Sequence, residues 1–528
     1  MPRLAVTILA ALALLLVAPP IGWHALQWLV YLPFFWVLRE DRPRANLFFS
    51  AVYGVVAVAG IFSWIVDTVA LFSNIPLPGA VAILLLFSAV FGSPYILLWV
   101  AVHPLRRRFG GLWIVLIPSL QVLIEFAERY VFLFPYNHGV GQYQFLPVWQ
   151  IVSVTGIWGA TWLVWFANCS LAEALYRRRE RRPPPVRILA GTATLLALVM
   201  ALGAWRVSRV EAALANGSVL RVAQIQSPMT MPERLRTPAR VTFDFWRSET
   251  AKLASGEADL VVWPEGASPY SLQQDRVAEV IGALATAGDF EMVIGGGARE
   301  RNPNSGEKTG LIAFNSVYHV DREGRLTGRY DKRVPLPFGE YLPLKGTSLS
   351  FLVDWVEGVG NFRAGTEAVL LGGQHRYATP ICYEATLGQV CRLFANPDLI
   401  VTVTNDAWFG DTRQPYLHEM MAAVRATELG VPMFRSAYTG VSAVIEPHGH
   451  IKARTKPFEY VNRVVPVRLA KMETLYVRWG DWFVVACAAL FVGAALYRRG
   501  HAPAHRAPHV PAEADTHGGG SGDLRSER

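Results

Sequence analysis

Long apolar runs separated by short polar segments fill the first 205 residues of the chain, and one more lies near its end. A bilayer is crossed by a helix of roughly 20 mostly apolar residues. The pattern therefore predicts a membrane α-helical bundle of about eight transmembrane helices, seven of them before residue 206. The predicted spans lie near residues 4–20, 22–38, 46–70, 79–102, 112–133, 150–175, 188–205 and 482–497.

The first apolar run, residues 4–20, also has the short apolar core that follows a basic residue in a secretory signal peptide. Two interpretations therefore stand, a cleaved signal peptide and a retained span. Pro19 and Pro20 favour the retained span, because they interrupt the small residues of a cleavage site and a second apolar run follows at once.

Arginines are concentrated in alternate loops between the apolar runs, at residues 39–44, 105–109 and 177–187, whereas the intervening loops contain neither Lys nor Arg. Positively charged loops stay in the cytoplasm. We therefore expect a cytoplasmic amino terminus, a membrane domain with seven spans at 1–205 and a periplasmic domain at 206–470. A final span within residues 471–499 then returns the chain to the cytoplasm.

The pattern changes between residues 219 and 467, where short strand-forming runs alternate with helical stretches. Continuous apolar strands separated by helices indicate sheets that are buried on both faces. We therefore predict an α/β domain with helices at 232–255 and 273–288. Its expected strands are 219–226, 259–264, 290–297, 312–321, 377–382 and 398–404.

Composition agrees with a membrane protein that carries a folded domain. The 528 residues are 52% hydrophobic and 17% charged, which is too apolar for an ordinary soluble protein. The net charge of +9 arises largely from arginines between apolar runs, so it indicates membrane topology and not a nucleic-acid partner. Residues 500–528, rich in His, Ala, Pro, Gly and Ser, are predicted to be a disordered cytoplasmic tail.

Candidate catalytic residues stand at three predicted strand ends. Glu265 follows the strand in "VVWPEGASPY", Lys332 and Glu340 lie in "RYDKRVPLPFGEYLP", and Cys382 ends "YATPIC". A carboxylate can take the proton of a thiol, whose ordinary pKa is about 8.5, and an ammonium can stabilise the thiolate and an oxyanion. Together these groups could carry out acyl transfer.

Structural interpretations of the same residues stay open at this point. Glu265 could be a solvated or capping residue, Lys332 a surface lysine, and Cys382 a core cysteine. A disulfide between Cys382 and Cys391 is disfavoured, because a helix between them would separate the Cα atoms by about 13 Å, beyond the ~7 Å that a disulfide spans. The other two cysteines lie in predicted spans. No His/Cys cluster has metal-ligand spacing, so we expect no metal and no organic cofactor.

The order of short motifs resembles the nitrilase superfamily, whose members use a Glu-Lys-Cys triad on an αββα sandwich. With the flanking spans, the chain is more specifically similar to the apolipoprotein N-acyltransferases, a family of bacterial inner-membrane enzymes. The motifs that carry the resemblance are "VWPE" (262–265), "YDK" (330–332), "PFGEYLP" (337–343), "ICYE" (381–384), "TNDAWFGDT" (404–412), "RATELGVP" (425–432), "TGVSAVIEPHG" (439–449) and "TLYVRWGDW" (474–482).

The resemblance implies a nucleophile at Cys382, a general base at Glu265 and an oxyanion stabiliser at Lys332. It implies a phospholipid acyl donor, a cysteine thioester, and an acceptor amine on the diacylglyceryl-cysteine of an apolipoprotein, all at a bacterial inner membrane.

Three further residues have expected supporting roles within this resemblance. Glu340 is expected near Lys332, and Tyr383 and Glu384 are expected to shape the loop of the nucleophile. The sequence gives no indication of the oligomeric state or of the preferred phospholipid.

The chain departs from the family pattern in three places. It has Tyr438 where the family usually has Asn and Leu417 where it often has Gln, and "FPYNHGVGQYQ" (134–144) follows the equivalent loop of the family only loosely. These departures concern substrate preference and rate, not the triad. Two other functions remain as alternatives, a membrane-bound amidase that passes the acyl group to water, and a transporter or scaffold with a decayed domain. The spans argue against the amidase, and the intact triad argues against the scaffold.

Overall fold

A helical region and an α/β sandwich make up the protein in the computed structural model. The structure describes residues 2–500, apart from 73–74, 132–135, 303–309, 344, 346, 348–349 and 351–359, so the predicted tail lies outside the described residues. The helices of the first region are α1 (Pro2–Val17), α2 (Leu32–Val37), α3 (Pro43–Ile61), α4 (Trp64–Phe72), α5 (Leu77–Phe91), α6 (Ser93–Phe109), α7 (Trp113–Val131), α8 (Leu146–Trp149), α9 (Val152–Thr155), α10 (Ile157–Arg179) and α11 (Val186–Asn216).

Three helical runs of the described chain are long and apolar enough to cross a membrane: Pro43–Ile61, Leu77–Tyr130 and Val186–Asn216. Three shorter apolar helices lie at Pro2–Val17, Leu146–Thr155 and Trp482–Tyr497. The helical character of this region is confirmed, but the predicted number of eight spans is not.

The predicted span at 22–38 is not one long helix. It contains a short 3-10 helix, His24–Trp28, followed by the six-residue α2. Six residues rise only about 9 Å, far less than the thickness of a bilayer core. Pro33 lies in the first turn of α2, where its missing N–H is tolerated, so the chain restarts a helix there and does not continue one.

Two mixed β-sheets form the framework of the second region. Its strands are β1 (Ser218–Gln226), β2 (Leu260–Ser268), β3 (Glu291–Arg301), β4 (Leu311–Val320), β5 (Leu326–Asp331), β6 (Tyr377–Ala378), β7 (Leu399–Thr404), β8 (Met433–Ala437), β9 (Ala443–Ile445), β10 (Ile451–Lys452) and β11 (Val461–Leu469). One sheet has the order β11-β1-β2-β3-β4-β5 and the other β10-β9-β8-β7-β6. Within them, β1-β2-β3 and β6-β7-β8 are parallel.

Helices cover the outer faces of the two sheets, so the expected αββα sandwich is confirmed. The remaining helices are α12 (Met231–Arg236), α13 (Ala239–Thr250), α14 (Asp275–Gly288), α15 (Gly388–Cys391), α16 (Gln414–Leu429), α17 (Leu475–Trp479) and α18 (Trp482–Gly500). Side chains alternate along β2: Val262 packs toward the second sheet, whereas Val261 and Trp263 pack against α13 and α14.

Helix α16 belongs to both regions of the protein. Every residue in it except Tyr416 is buried. Ala422, Ala423 and Ala426 pack in the core of the sandwich, whereas Met420 and Met421 pack in the apolar core of the helical region. A helix that is apolar on two faces must be covered on both sides, so α16 joins the two cores.

Polar contacts at α16 reinforce this junction. The indole N–H of Trp149 in α8 donates to Thr427 at 2.9 Å, and the backbone N–H of Ile157, the first residue of α10, donates to Glu428 at 3.0 Å. Arg425 forms a buried ion pair with Glu428 at 3.0 Å. Burial nevertheless raises the pKa of Glu428 to about 7, with Arg425 and the Ile157 amide opposing that rise.

Some sequence predictions for the sandwich were wrong in extent. The strand expected at 377–382 is regular only over β6, because Pro380 has no N–H to donate and Cys382 leaves the extended region with φ +52°. The helix expected at 232–255 is broken into α12 and α13 before Pro238.

The close contact between α11 and α8 gives a test of the packing between the helical elements. A Cβ atom on Gly203 would lie 1.7 Å from the backbone oxygen of Pro147, so Gly203→Val forces the helices apart. We expect a loss of about 1–3 kcal/mol in stability, measured as a lower thermal midpoint of the detergent-purified protein. Gly191→Val on the same helix is the matched control, because nothing lies within 4 Å of its Cβ position. Equal midpoints for the two variants would contradict this packing.

Candidate active site

Two carboxylates and one ammonium meet at the ends of the inner strands. The Nζ atom of Lys332 lies 2.7 Å from Oε2 of Glu340 and 3.5 Å from Oε1 of Glu265. The Lys332 side chain is only 1% exposed. Glu265 lies within β2, and Lys332 directly follows β5. The structure thus brings together two residues of the predicted triad and the predicted supporting carboxylate.

Hydrogen-bond donors hold both carboxylates in place. The Asn315 side chain on β4 donates to Glu265 at 2.7 Å and to Glu340 at 2.5 Å. Two backbone groups also donate to these carboxylates: the N–H of Asn405 donates to Glu265 at 2.8 Å, and the N–H of Leu336 donates to Glu340 at 2.6 Å. A buried charge is tolerated when it is paired and hydrogen-bonded, and these donors satisfy that condition.

The charge balance of the site favours an ammonium on Lys332 and a neutral thiol on Cys382. Burial lowers the pKa of Lys332, but the carboxylates of Glu340 and Glu265 outweigh it, so the net pKa is raised. Burial raises the pKa of the Cys382 thiol, the Glu265 charge raises it further, and Lys332 lowers it only in part. The thiol therefore rests in the protonated form at neutral pH and requires a base before it can react.

Cys382 occupies an unusual backbone position. It begins a 3-10 helix, Cys382–Thr386, and its φ of +52° lies in the left-handed region, which costs energy for a residue with a side chain. The preceding residue, Ile381, still bridges to Val403 of β7. The chain thus turns sharply at the end of the inner sheet, and the strained residue is the one that carries the thiol.

Glu384 connects the turn of Cys382 to the segment after Lys332. Its carboxylate accepts from the backbone N–H of Ile381 at 2.9 Å and from those of Arg333 and Val334 at 2.7 and 3.0 Å. The phenol of Tyr330 donates to it at 3.0 Å. Burial raises the pKa of Glu384, and these donors and the charge of Lys332 oppose the rise.

Tyr383 packs beside this connection. Its buried side chain joins a small apolar cluster of Leu387, Val390, Val334 and Leu336. It thereby contributes apolar contact between the turn of Cys382 and the loop that follows Lys332.

Four polar residues near the site were not predicted from the sequence: Asn315, Asp406, His418 and Arg435. The last three form a buried hydrogen-bonded chain that ends at the backbone of Cys382. Arg435 donates to Asp406 at 2.7 Å, His418 Nδ1 lies 2.9 Å from Asp406, and His418 Nε2 lies 3.0 Å from the carbonyl oxygen of Cys382. Both partners of His418 carry acceptor oxygens, so the imidazole bridges the carboxylate of Asp406 and the carbonyl oxygen of Cys382.

The ionised state of Asp406 fits that arrangement. Burial raises the pKa of its carboxyl, but Arg435 and His418 lower it more, so the net pKa lies below the ordinary value. The signal for this network in the sequence is Arg435 itself, a charged residue inside the otherwise strand-like run "VPMFRSA". A charge in a buried strand requires a buried partner.

Two cavities lie beside each other, one among the helices and one near the turn of Cys382. The first lies among helices α3 to α7, and both apolar and polar side chains line it, including Ile61, Phe62, Gln121, Glu128, Tyr136 and His138. The second is lined by Phe62, Tyr136, Thr386, Leu417, His418 and Met421, and most of its lining is apolar. Because Phe62 and Tyr136 line both, the second cavity adjoins the first and lies between the helical region and the turn of Cys382.

The four cysteines are unpaired and buried. The Sγ atom of Cys391 donates to the carbonyl oxygen of Glu384 at 3.4 Å, which places Cys391 in the support of the turn. The disfavoured bridge between Cys382 and Cys391 is therefore not formed.

Comparison with known families matches both regions of the chain. A family model described as "Apolipoprotein N-acyltransferase N-terminal domain" matches residues 10–170, and one described as "Carbon-nitrogen hydrolase" matches residues 220–474. A protein of Geobacter metallireducens named apolipoprotein N-acyltransferase is 32% identical over 93% of this chain and 95% of its own length. One of the same name from Bradyrhizobium diazoefficiens is 31% identical over 84% and 81% of the two lengths.

Solved structures are similar to about half of the chain. A CN-hydrolase superfamily protein from Xanthomonas campestris covers 53% of this chain and 97% of its own, with 17% identity and a TM-score of 0.36. An amidase from Nesterenkonia covers 52% and 97%, with 16% identity and a TM-score of 0.38.

Glu384→Gln tests the connection between the two loops. The carboxamide cannot accept at both ends, so its NH₂ group would face either the Ile381 N–H or the paired N–H groups of Arg333 and Val334. We expect a loss of about 3 kcal/mol in unfolding free energy, seen in thermal melts of the purified protein. Glu279→Gln, an exposed position on α14, removes the same charge and is expected to leave the melt unchanged. A Glu384→Gln melt like that of wild type would exclude the anchoring role.

Proposed function

The chain belongs to the apolipoprotein N-acyltransferase family, and we propose that it transfers an acyl chain from a membrane phospholipid to the amino-terminal amine of diacylglyceryl-cysteine on apolipoproteins. The relatives matched over nearly their whole length support acyl transfer, and the match to the N-terminal domain of that family disfavours a simple amidase. The largely apolar cavity that both regions line near the turn of Cys382 supports a lipid donor.

In the proposed first half-reaction, Glu265 takes the proton of the Cys382 thiol, and the thiolate attacks an ester carbonyl of the phospholipid. The resulting oxyanion is stabilised by the ammonium of Lys332. The tetrahedral intermediate collapses to a Cys382 thioester, and the lysophospholipid oxygen leaves with the proton from Glu265. Glu340 holds Lys332 throughout, because its carboxylate lies closest to the ammonium.

In the second half-reaction, the amine of the acceptor attacks the thioester, and Glu265 takes a proton from the nitrogen. The amide forms, and the thiolate of Cys382 leaves and is reprotonated. This sequence predicts ping-pong kinetics, since each substrate reacts separately with the enzyme.

The same electrostatics explain why Glu265 suits the role of base. While ionised, Glu265 raises the pKa of Cys382 and keeps the thiol protonated. Once Glu265 accepts the proton, it is neutral and no longer opposes the thiolate. Lys332 then remains as the nearby charge, so proton transfer and thiolate stabilisation occur together.

The apolar lining of the second cavity supports an acyl chain as the donor group. Phe62 and Tyr136 come from the helical region, whereas Thr386 and Leu417 come from the sandwich, and all four line this cavity. An acyl chain held there would point toward the turn of Cys382. A small soluble amide needs no apolar cavity between the two regions.

The location of the enzyme is part of this proposal. We infer a bacterial inner-membrane protein with its membrane domain at 1–205, its catalytic domain at 206–470 in the periplasm, a last span within 471–499 and a cytoplasmic tail at 500–528. The arginine-rich loops support this orientation. A reporter that works only outside the cytoplasm is expected to be inactive when fused after residue 500. Activity of that fusion would exclude the orientation.

Single substitutions in the triad test the chemistry. Wild type given phospholipid alone is expected to accumulate an acyl adduct on Cys382, detected by mass spectrometry of the intact protein, and an apolipoprotein acceptor is expected to discharge it. Cys382→Ser should form little adduct, because an alcohol is much harder to deprotonate. Glu265→Gln and Lys332→Met should each lower the acylation rate about a hundredfold or more.

A matched control separates chemistry from folding in this test. Cys391→Ser changes another buried cysteine near the turn and is expected to keep the adduct on Cys382. Near-normal activity of Cys382→Ala, or transfer that requires both substrates at once with no isolable adduct, would refute the covalent mechanism.

A further inference from the structure

Two histidines and two glutamates converge where α11 meets the turn between β9 and β10. Glu446, His448 and His450 lie on the turn between β9 and β10, and Glu211 lies on α11. One ligand atom from each residue lies within 4.8 Å of those of the other three. Sequence reasoning missed this cluster, because three members alternate within five residues and the fourth lies more than 200 positions earlier.

The distances within the cluster fit the coordination sphere of a metal ion. His448 Nε2 lies 3.1 Å from Oε1 of Glu211 and 3.9 Å from Oε2 of Glu446, and His450 Nδ1 lies 3.2 Å from that same Oε2. Ligands at 2.0–2.2 Å from a tetrahedral Zn²⁺ are separated from one another by about 3.3–3.6 Å. Small adjustments of the exposed His450 and Glu211 side chains would complete that geometry.

The backbone of the turn is fixed before any ion binds. The N–H of Glu446 donates to the carbonyl oxygen of His450 at 2.9 Å, and the N–H of Gly449 donates to Glu446 at 2.8 Å. Gly449 has φ +88°, and a Cβ atom there would lie 2.4 Å from the indole nitrogen of Trp149. The turn is therefore held tightly against α8, which limits the freedom that binding must remove.

The second oxygen of Glu446 has its own partner. Lys452 donates to Oε1 of Glu446 at 2.6 Å, whereas Oε2 faces the two imidazoles. A ligating carboxylate whose other oxygen accepts a hydrogen bond is a common arrangement at metal sites, because it fixes the orientation of the ligand. The His448 side chain is fully buried, so the site has one closed side and one side open to solvent.

We propose that Glu211, Glu446, His448 and His450 bind a divalent cation of the Zn²⁺ class and thereby tie α11 to the β9–β10 turn of the sandwich. Imidazole and carboxylate ligands suit Zn²⁺, and two carboxylates balance its charge. Helix α11 leads directly into β1, so the ion would clamp the connection between the helical region and the catalytic domain. The role is structural, since none of the four residues contacts Lys332 or Cys382 in the described structure.

Zinc binding by the full-length protein, purified without an affinity tag, tests this site. Because the tail also contains histidines, the protein is studied in a background in which His501, His505, His509 and His517 are replaced by Gln. After treatment with a chelator, the protein is dialysed against ZnCl₂ and its metal content is measured. We expect about one Zn²⁺ per chain, a thermal midpoint that rises with Zn²⁺ concentration, and an X-ray absorption spectrum with nitrogen and oxygen neighbours but no sulfur.

Two variants and one control decide the outcome. His450→Gln changes a half-exposed side chain, so it should fold, and we expect at least a tenfold weaker affinity and loss of the zinc-dependent rise in midpoint. His448→Gln should act in the same direction. His375→Gln, in the same domain but outside the cluster, should bind Zn²⁺ like wild type. No stoichiometric zinc in the tail-substituted protein, or equal affinity in His450→Gln, would overturn the proposal and leave Glu446 as an ion-pair partner of Lys452 only.

Discussion

The buried ammonium of Lys332 is the constraint on which the architecture of the sandwich depends. Removing this charge from water is costly, and only the two carboxylates beside it, together with the donors that hold them, offset the cost. Those carboxylates belong to β2 and to the loop after β5, and Asn315 on β4 holds both. The three chain segments must therefore meet at one point. The strained turn of Cys382 is fixed to the same assembly through Glu384.

A second constraint follows from the position of α16. This helix contributes alanines to the core of the sandwich and methionines to the core of the helical region, and His418 on the same helix contacts the carbonyl oxygen of Cys382. The position of the Cys382 backbone therefore depends on how the two regions pack against each other. The same helix also lines the cavity proposed for the lipid, through Leu417 and Met421.

The sequence allowed prediction of those strands whose residues are continuously apolar, such as β1 and β7, because burial on both faces leaves a simple pattern. Strand β8 was missed, since Arg435 interrupts its apolar run and only the buried partner Asp406 explains that charge. Glu265 and Cys382 could be proposed as site residues because each follows a run of strand-forming residues, and Lys332 because it lies in the motif "YDK". Asn315, Asp406 and His418 could not, since their roles arise from contacts between distant segments and no local pattern records them.

The near-complete burial of α16 has a consequence for how such a protein can evolve. Fifteen of its sixteen positions face a neighbour, so a residue change on one face must suit the sandwich and a change on the other must suit the helical region. Substitutions at the surface of either region that contacts α16 must therefore remain compatible with the residues of this helix. Exchange of whole regions between relatives would bring together an α16 and a partner surface that never adapted to one another. The two regions have different folds, but their sequences are expected to change together because both pack against α16.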